Sequence, residues 1–240
     1  MIDLHCHLLP GIDDGASSIE DALSLARMAV ADGITHAVLT PHLHPGRYDN
    51  TPEIIQAAVE AFRAALIDAQ IPLEVKAAAE VRLSAELLML IGKGQVPFLG
   101  RWDGKDVLLL ELPHSHIPPG TEKLIKWLQD RNILPMIAHP ERNKAIMADI
   151  GKLSCFVDMG CLFQLTAMSI TGGFGAKAQA ASQEMLHKGW ATVIASDAHN
   201  TDHRPPLLSR AFKAAAELVG EADARQLVLD RPAKIAGFAL

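Results

Sequence analysis

Short runs of consecutive apolar residues alternate along the whole chain with longer stretches in which apolar residues recur every three to four positions. The runs predict seven strands, over residues 2–7, 35–40, 73–79, 106–112, 134–138, 162–167 and 192–196. The recurrences predict helices between them. One spans 17–33, with a Ser17 to Glu20 capping box and a stop at Gly33, and another spans 51–70 with Pro52 in its first turn. Further helices are expected over 84–91, 121–131, 176–187, 206–218 and 222–229. No repeat, low-complexity tract or linker breaks the alternation, which points to a parallel sheet in a single domain spanning residues 1–240.

The polar residues that interrupt the pattern gather at the ends of the runs. His5 and His7 close the first run, where an extended backbone puts both imidazoles on one face and Cys6 on the other. His42 follows the second run, Glu80 the third, and Glu111 ends the fourth. His139 and Arg142 follow the fifth, and Asp197 and His199 the seventh. The sixth run offers only Gln164 and Thr166. An open, doubly wound sheet would spread these groups along its edge, whereas a closed barrel brings every C-terminal strand end to one mouth. The expected fold is therefore a TIM-like α/β barrel of seven strands.

Composition narrows the surroundings. With 240 residues, 49% of them hydrophobic, the chain can bury one sizeable core. No apolar run approaches the roughly 20 residues of a membrane span, and Asp3 and His5 interrupt the place where a signal peptide needs its apolar core. Three cysteines are too few for a disulfide framework. These features predict a cytoplasmic protein. A formal charge of −6 argues against a nucleic-acid partner, although bound cations would reverse the sign locally and admit an anionic substrate.

Collected at one mouth, the candidate ligands are His5, His7, Asp14, His42, Glu80, Glu111, His139, Asp197 and His199. Nine donors exceed what one ion uses. Mixed imidazole and carboxylate donors suit Mn²⁺, Fe²⁺ or Zn²⁺, and no cysteine pair stands at the spacing of a structural zinc site. Two or three clustered ions, with a carboxylate such as Glu80 bridging, are the economical arrangement. Ions about 3.5–4 Å apart hydrolyse phosphoesters by turning a shared water into hydroxide and neutralising the leaving group. Arg142, three residues after His139, suits a bidentate grip on phosphate, and Arg204 is a second candidate. A thiol mechanism would need an arginine six residues after a cysteine. Those positions hold Ile12, Cys161 and Ala167.

The set HCH…GIDDGA, TPH, AAAEVRL, LLLELPHS, AHPERN, FQLTAMSITGGFG and ASDAHN closely resembles the polymerase-and-histidinol-phosphatase superfamily. Within it, the chain is similar to the bacterial manganese-dependent tyrosine-protein phosphatases encoded with capsule and exopolysaccharide genes, from Met1 to about Arg204. The resemblance implies a distorted seven-stranded barrel. It implies one ion on His5, His7, Glu80 and Asp197, a second on Glu80, Glu111 and His139, and a third on Asp14, His42 and His199. Arg142, Asp197 and His199 are then the candidate catalytic residues, with Arg142 and Arg204 binding substrate phosphate. The implied metal is Mn²⁺, while the donors also admit Fe²⁺, Zn²⁺, Co²⁺ or Mg²⁺. The implied partner is a phosphotyrosine protein, the tyrosine-rich tail of a bacterial tyrosine kinase controlling polysaccharide export. A small-molecule phosphatase of the histidinol-phosphate type, a phosphodiesterase and a catalytically silent metal-binding module share these residues and stay open.

Other residues have plainer readings. From spacing alone Asp13 and Asp14 are turn formers beside glycine as readily as ligands. The resemblance assigns ligation to Asp14 and leaves Asp13 in the turn. Asp3 either orients an imidazole or bonds to backbone. His44 is left undecided by the TPHLH spacing, and His36, His114, His116, His187 and His203 read as structural or surface residues. The glycines of TGGFG match no phosphate-cradling spacing and read as an active-site loop. Cys6, facing away from its histidine neighbours, reads as core.

Overall fold

In the computed structural model, which describes residues 1–239, each long apolar run becomes a buried strand. Along the chain come β1 (Ile2–Cys6), α1 (Ile19–Ala31), β2 (His36–Leu39), β3 (His42–Leu43), α2 (Pro52–Asp68), β4 (Glu74–Ala77) and β5 (Glu80–Arg82). Then follow α3 (Leu87–Gly92), β6 (Gly100–Trp102), β7 (Lys105–Glu111), α4 (Thr121–Gln129) and β8 (Ile133–Ala138). After a 3₁₀ turn at Pro140–Arg142 come α5 (Lys144–Ala148), a second 3₁₀ turn at Ile150–Leu153, α6 (Ser154–Asp158), β9 (Leu162–Thr166), α7 (Ala167–Ile170), α8 (Ala176–His187) and β10 (Val193–Ala195). The chain closes with α9 (Ser209–Val219), α10 (Glu221–Arg225) and α11 (Arg231–Ala236).

The strands divide into two parallel sheets, one ordered β1-β2-β4 and the other β10-β9-β8-β7-β5-β3, with β6 antiparallel on β7. The parallel α/β architecture agrees with the sequence pattern. The closed barrel does not appear as one continuous ladder among the described residues. Two local breaks explain this. Pro41 has no N–H for the ladder, so the run expected over 35–40 stops at Leu39 and resumes as β3, and its neighbour breaks alike between β4 and β5. The register of β1 on β2 also shifts between Asp3 and Cys6. The outer strands β1 and β10 of the two sheets remain tied by backbone hydrogen bonds, Asp197 N to His5 O at 2.7 Å and His7 N to Ala198 O at 2.8 Å.

This breakage has a functional consequence. His42 and Glu80, expected just past strands, lie on the short strands β3 and β5, and their Cα positions are direct register partners. Likewise Arg82 stands opposite Glu111 and Ala138 opposite Gln164.

Helix boundaries follow their caps. Ser18, one residue beyond the expected Ser17, caps α1 by accepting from Asp21 N at 3.2 Å, and Thr51 caps α2 with Pro52 at its first position. The last expected helix, 222–229, is instead α10 followed by a π turn over Gln226–Asp230, and α11 continues beyond it. Apolar faces of these helices cover the strands, burying Phe62, Phe156 and Phe163 completely or nearly so. Cys6 joins the core, as its side of β1 requires. Among the described residues no helix is long and apolar enough to cross a membrane.

Candidate metal centre

Four side-chain atoms meet beneath the strand ends. His5 Nε2 and His7 Nε2 are 3.2 Å apart; Glu80 Oε2 lies 3.4 Å from each; Asp197 Oδ1 lies 3.3 Å from His5 and 3.4 Å from His7. Each of these five separations suits a pair of ligands that sit about 2.0–2.2 Å from one divalent ion at a near-tetrahedral angle. All four residues are buried. Asp197 Oδ1 accepts no hydrogen bond, and His42 Nδ1 stands 2.9 Å from Glu80 Oε2 as a further imidazole of the cluster; so dense a set of buried donors and carboxylates suits bound cations. This donor set fits a metal ion.

Further donors adjoin the cage. Glu80 turns its other oxygen to His139 Nε2 at 2.8 Å, so one carboxylate spans two clusters. His42, Glu80 and Glu111 bring donor atoms within 4.8 Å of one another. Asp14 Oδ1 lies 3.3 Å from His42 Nε2 and 3.5 Å from His199 Nε2, and the latter nitrogen is buried without a hydrogen bond. All nine sequence-predicted ligands therefore converge.

Neighbouring groups aim the imidazoles. His7 Nδ1 is 2.7 Å from Asp13 Oδ2, and His5 Nδ1 is 2.9 Å from Gln164 Oε1. Each acceptor fixes the proton on Nδ1 and leaves Nε2 free to ligate. His199 Nδ1 donates in the same way to the Asp197 carbonyl at 3.0 Å. Gln164 Oε1 also accepts from the His139 backbone N–H at 3.1 Å. His139 and Asp197 take positive φ angles of 32° and 53°, which non-glycine residues adopt at a cost. Their backbone N–H groups are held by Gln164 and by the His5 carbonyl. Gly15 is required for another reason: a Cβ there would stand 2.0 Å from the His7 carbonyl oxygen.

The charges balance unevenly. Burial pushes His42 down, but the Asp14 and Glu80 carboxylates outweigh it and hold its pKa at about 9. His199, which shares Asp14, is lowered to about 4 by burial and by the charge of His7. Burial raises Asp197, yet the opposing charges of His5, Arg204 and Arg142 bring it well below the ordinary carboxyl range. Arg142 Nη1 and Arg204 Nη2 both donate to Asp197 Oδ2, the latter at 2.6 Å. Above the donors opens a cavity whose rim carries His44, Arg47, Tyr48, Arg82 and His114. Tyr48 stacks on His42 with ring centroids 5.5 Å apart.

The chain matches, over residues 1–236, the family described as capsular polysaccharide synthesis, CpsB/CapC. The chain belongs to the CpsB/CapC family. It is 38% identical over 204 residues to the tyrosine-protein phosphatase YwqE of Bacillus subtilis, covering 85% of this chain and 79% of that protein. It is 27% identical to the tyrosine-protein phosphatase CpsB of Streptococcus pneumoniae, with 98% of each chain covered. A solved structure from work described as crystal structures of YwqE and CpsB, unique metal-dependent tyrosine phosphatases, superposes with a TM-score of 0.92 at 32% identity, covering 100% of this chain and 96% of that one.

In this CpsB/CapC chain several contributing residues escaped the sequence reading. Asp13 holds the turn through Gly15 N at 2.9 Å, as expected, but also orients His7. Asp3 bonds to Ser196 N at 2.9 Å and His5 N at 3.3 Å, so it is the backbone-bonded alternative. Arg82 holds Glu111 at 2.8 Å. His114, expected on a loop surface, lies 3.8 Å from Glu111 and lines the cavity, as does the undecided His44. Glu141 is fully buried, accepting from Thr166 N and Ser169 Oγ at 3.0 and 2.7 Å. A single sequence could have flagged only Arg82, as a charge beside the apolar residues of β5.

Proposed function

We propose that this chain is a metal-dependent tyrosine-protein phosphatase, releasing phosphate from phosphotyrosine on a protein partner. The close approach of the His5, His7, Glu80 and Asp197 donor atoms in a buried site carries the reading, and the names of its CpsB/CapC relatives supply the substrate class. His5, His7, Glu80 and Asp197 would hold a first ion, Glu80, Glu111 and His139 a second, and Asp14, His42 and His199 a third. Ions bound there would supply an activated water and offset the charge of the phosphoryl group.

The protein's own groups do the rest. Arg142 and Arg204 point their donors into the cavity beside Asp197 and grip the phosphoryl oxygens. Gln164 and Asp13 hold His5 and His7 in the ligating tautomer. Arg82 offsets part of the rise that burial and the charge of Glu80 impose on Glu111. We read the two sheets, with their bonded edges, as a distorted seven-stranded barrel of the polymerase-and-histidinol-phosphatase type in one domain over residues 1–240. The metal is taken to be Mn²⁺, the location the cytoplasm, and the partner the tyrosine-rich tail of a bacterial tyrosine kinase.

Metal analysis of the purified protein, coupled to phosphate release from a phosphotyrosine peptide and from histidinol phosphate, tests this. Two to three ions per chain and a marked preference for the peptide are expected. A preference for histidinol phosphate would make it a small-molecule phosphatase. Bound metal without turnover of para-nitrophenyl phosphate would make it a binding module.

A further inference from the structure

We infer that Phe174, carried by the glycine-rich turn after α7, is the positioning residue of the phosphate grip, laying its ring on the Arg142 guanidinium so that the arginine's donors stay aimed at the phosphoryl site. The inference rests on Arg142 as the phosphate ligand of the proposed phosphatase. The glycine spacing makes no phosphate cradle; the turn acts at one remove, through an aromatic face.

Arg142 has little else to hold it. Its Cζ lies 4.4 Å from the Phe174 ring centroid, and its edge meets Asp197 Oδ2, an oxygen it shares with Arg204. A long side chain fastened only through a shared oxygen would lose its aim when that carboxylate engages a cation through Oδ1. A ring on the guanidinium face persists through that change, because the attraction runs through the ring quadrupole and needs no hydrogen-bond acceptor.

The turn is shaped to deliver this ring. Gly172 and Gly175 take φ angles of 86° and 87°, open to glycine and strained for other residues. A Cβ on Gly173 would come 2.7 Å from Met168 Cε, so the turn folds back tightly on α7, with Gly173 N donating to Met168 O at 2.7 Å. The same segment is fastened to the residue before Arg142. Glu141 Oε1 accepts from Thr166 N and from Ser169 Oγ. Arg142 and Phe174 therefore share one frame.

Binding of inorganic phosphate to the manganese-loaded protein, measured by calorimetry in a double-mutant cycle, tests this. Phe174→Leu is expected to weaken phosphate by about 3- to 30-fold and raise KM more than it lowers kcat, with metal content unchanged. Phe174→Tyr should restore binding, and in an Arg142→Ala background the Phe174→Leu effect should vanish. Unchanged phosphate affinity in Phe174→Leu, an effect that survives without Arg142, failure of tyrosine to rescue, or loss of metal would each overturn the inference. If Arg142→Ala alone leaves phosphate binding intact, the assignment of Arg142 fails first, and the cycle shows it separately.

Discussion

His7 Nδ1 lies 2.7 Å from Asp13 Oδ2, and the same carboxylate oxygen accepts from the His42 backbone N–H at 3.0 Å. One aspartate thereby orients two candidate ligands that come from different strands. Replacing it by alanine should free His7 to rotate and weaken metal binding by about 10- to 100-fold. Asp13→Asn should fall between, since it keeps an acceptor without the charge. Manganese titration of each variant measures this, and wild-type affinity in Asp13→Ala would return Asp13 to the role of a simple turn residue.

Metal binding should release protons. His42, held at about 9, is an imidazolium at neutral pH, and only the neutral ring ligates. His199, at about 4, is already neutral. Apparent metal affinity should therefore climb as pH rises from 6 toward 9. Calorimetry in two buffers of different ionisation heat would count the protons at pH 7.5. Equal heats in both buffers would contradict the scheme.

Gln164 works on two ligands at once, through His5 Nδ1 and His139 N. Gln164→Leu should leave both donors unpaired and loosen the ions on both sides of Glu80, whereas Gln164→Glu keeps the acceptor and should retain metal. Metal counts after dialysis distinguish them; equal retention in Gln164→Leu would show that packing alone holds the two histidines.

The convergence of the nine ligands was legible in the sequence because all but Asp14, which lies in the loop after β1, sit at or just beyond the ends of strands whose buried apolar runs announce themselves, as in β1, β7, β8 and β10. Groups at strand ends keep their relation to the sheet even when strand boundaries move. The division into two sheets was not legible, because it turns on one missing N–H at Pro41 and a register shift in β1 whose effects depend on neighbouring strands. β6 is three residues long and lies across β7 with no pattern of its own. Asp13, Arg82 and Gln164 act through partners 6 to 159 residues away, which no local spacing encodes.

The thiols should be silent in catalysis. Burial raises Cys6 well above its ordinary value and Cys161 to about 12, while Cys155 is exposed. A thiol reagent should modify one cysteine per native chain and leave phosphatase activity unchanged. Inactivation on modifying Cys155 alone would reopen the question of a thiol role.

Glu141 should make stability fall with rising pH. Burial raises its pKa above the ordinary glutamate value, even against the hydrogen bonds from Ser169 and Thr166 and the charges of His139 and Arg142. The folded state therefore holds its proton at pH values where the unfolded chain has released it. Its contribution is fully present below the ordinary value and is lost as pH climbs through the raised one. A glutamine in its place would mimic the protonated acid at every pH and keep the acceptor for Thr166 and Ser169. Glu141→Gln should thus match wild type in mild acid and become the more stable of the two toward neutral pH. Glu141→Ala, which strands both donors, should lose about 1–3 kcal/mol throughout. Urea unfolding of the three proteins across pH 4–8 gives the comparison. A wild-type advantage over Glu141→Gln that grows with pH would mean that the folded protein stabilises the ionised carboxylate, the opposite of what its burial requires.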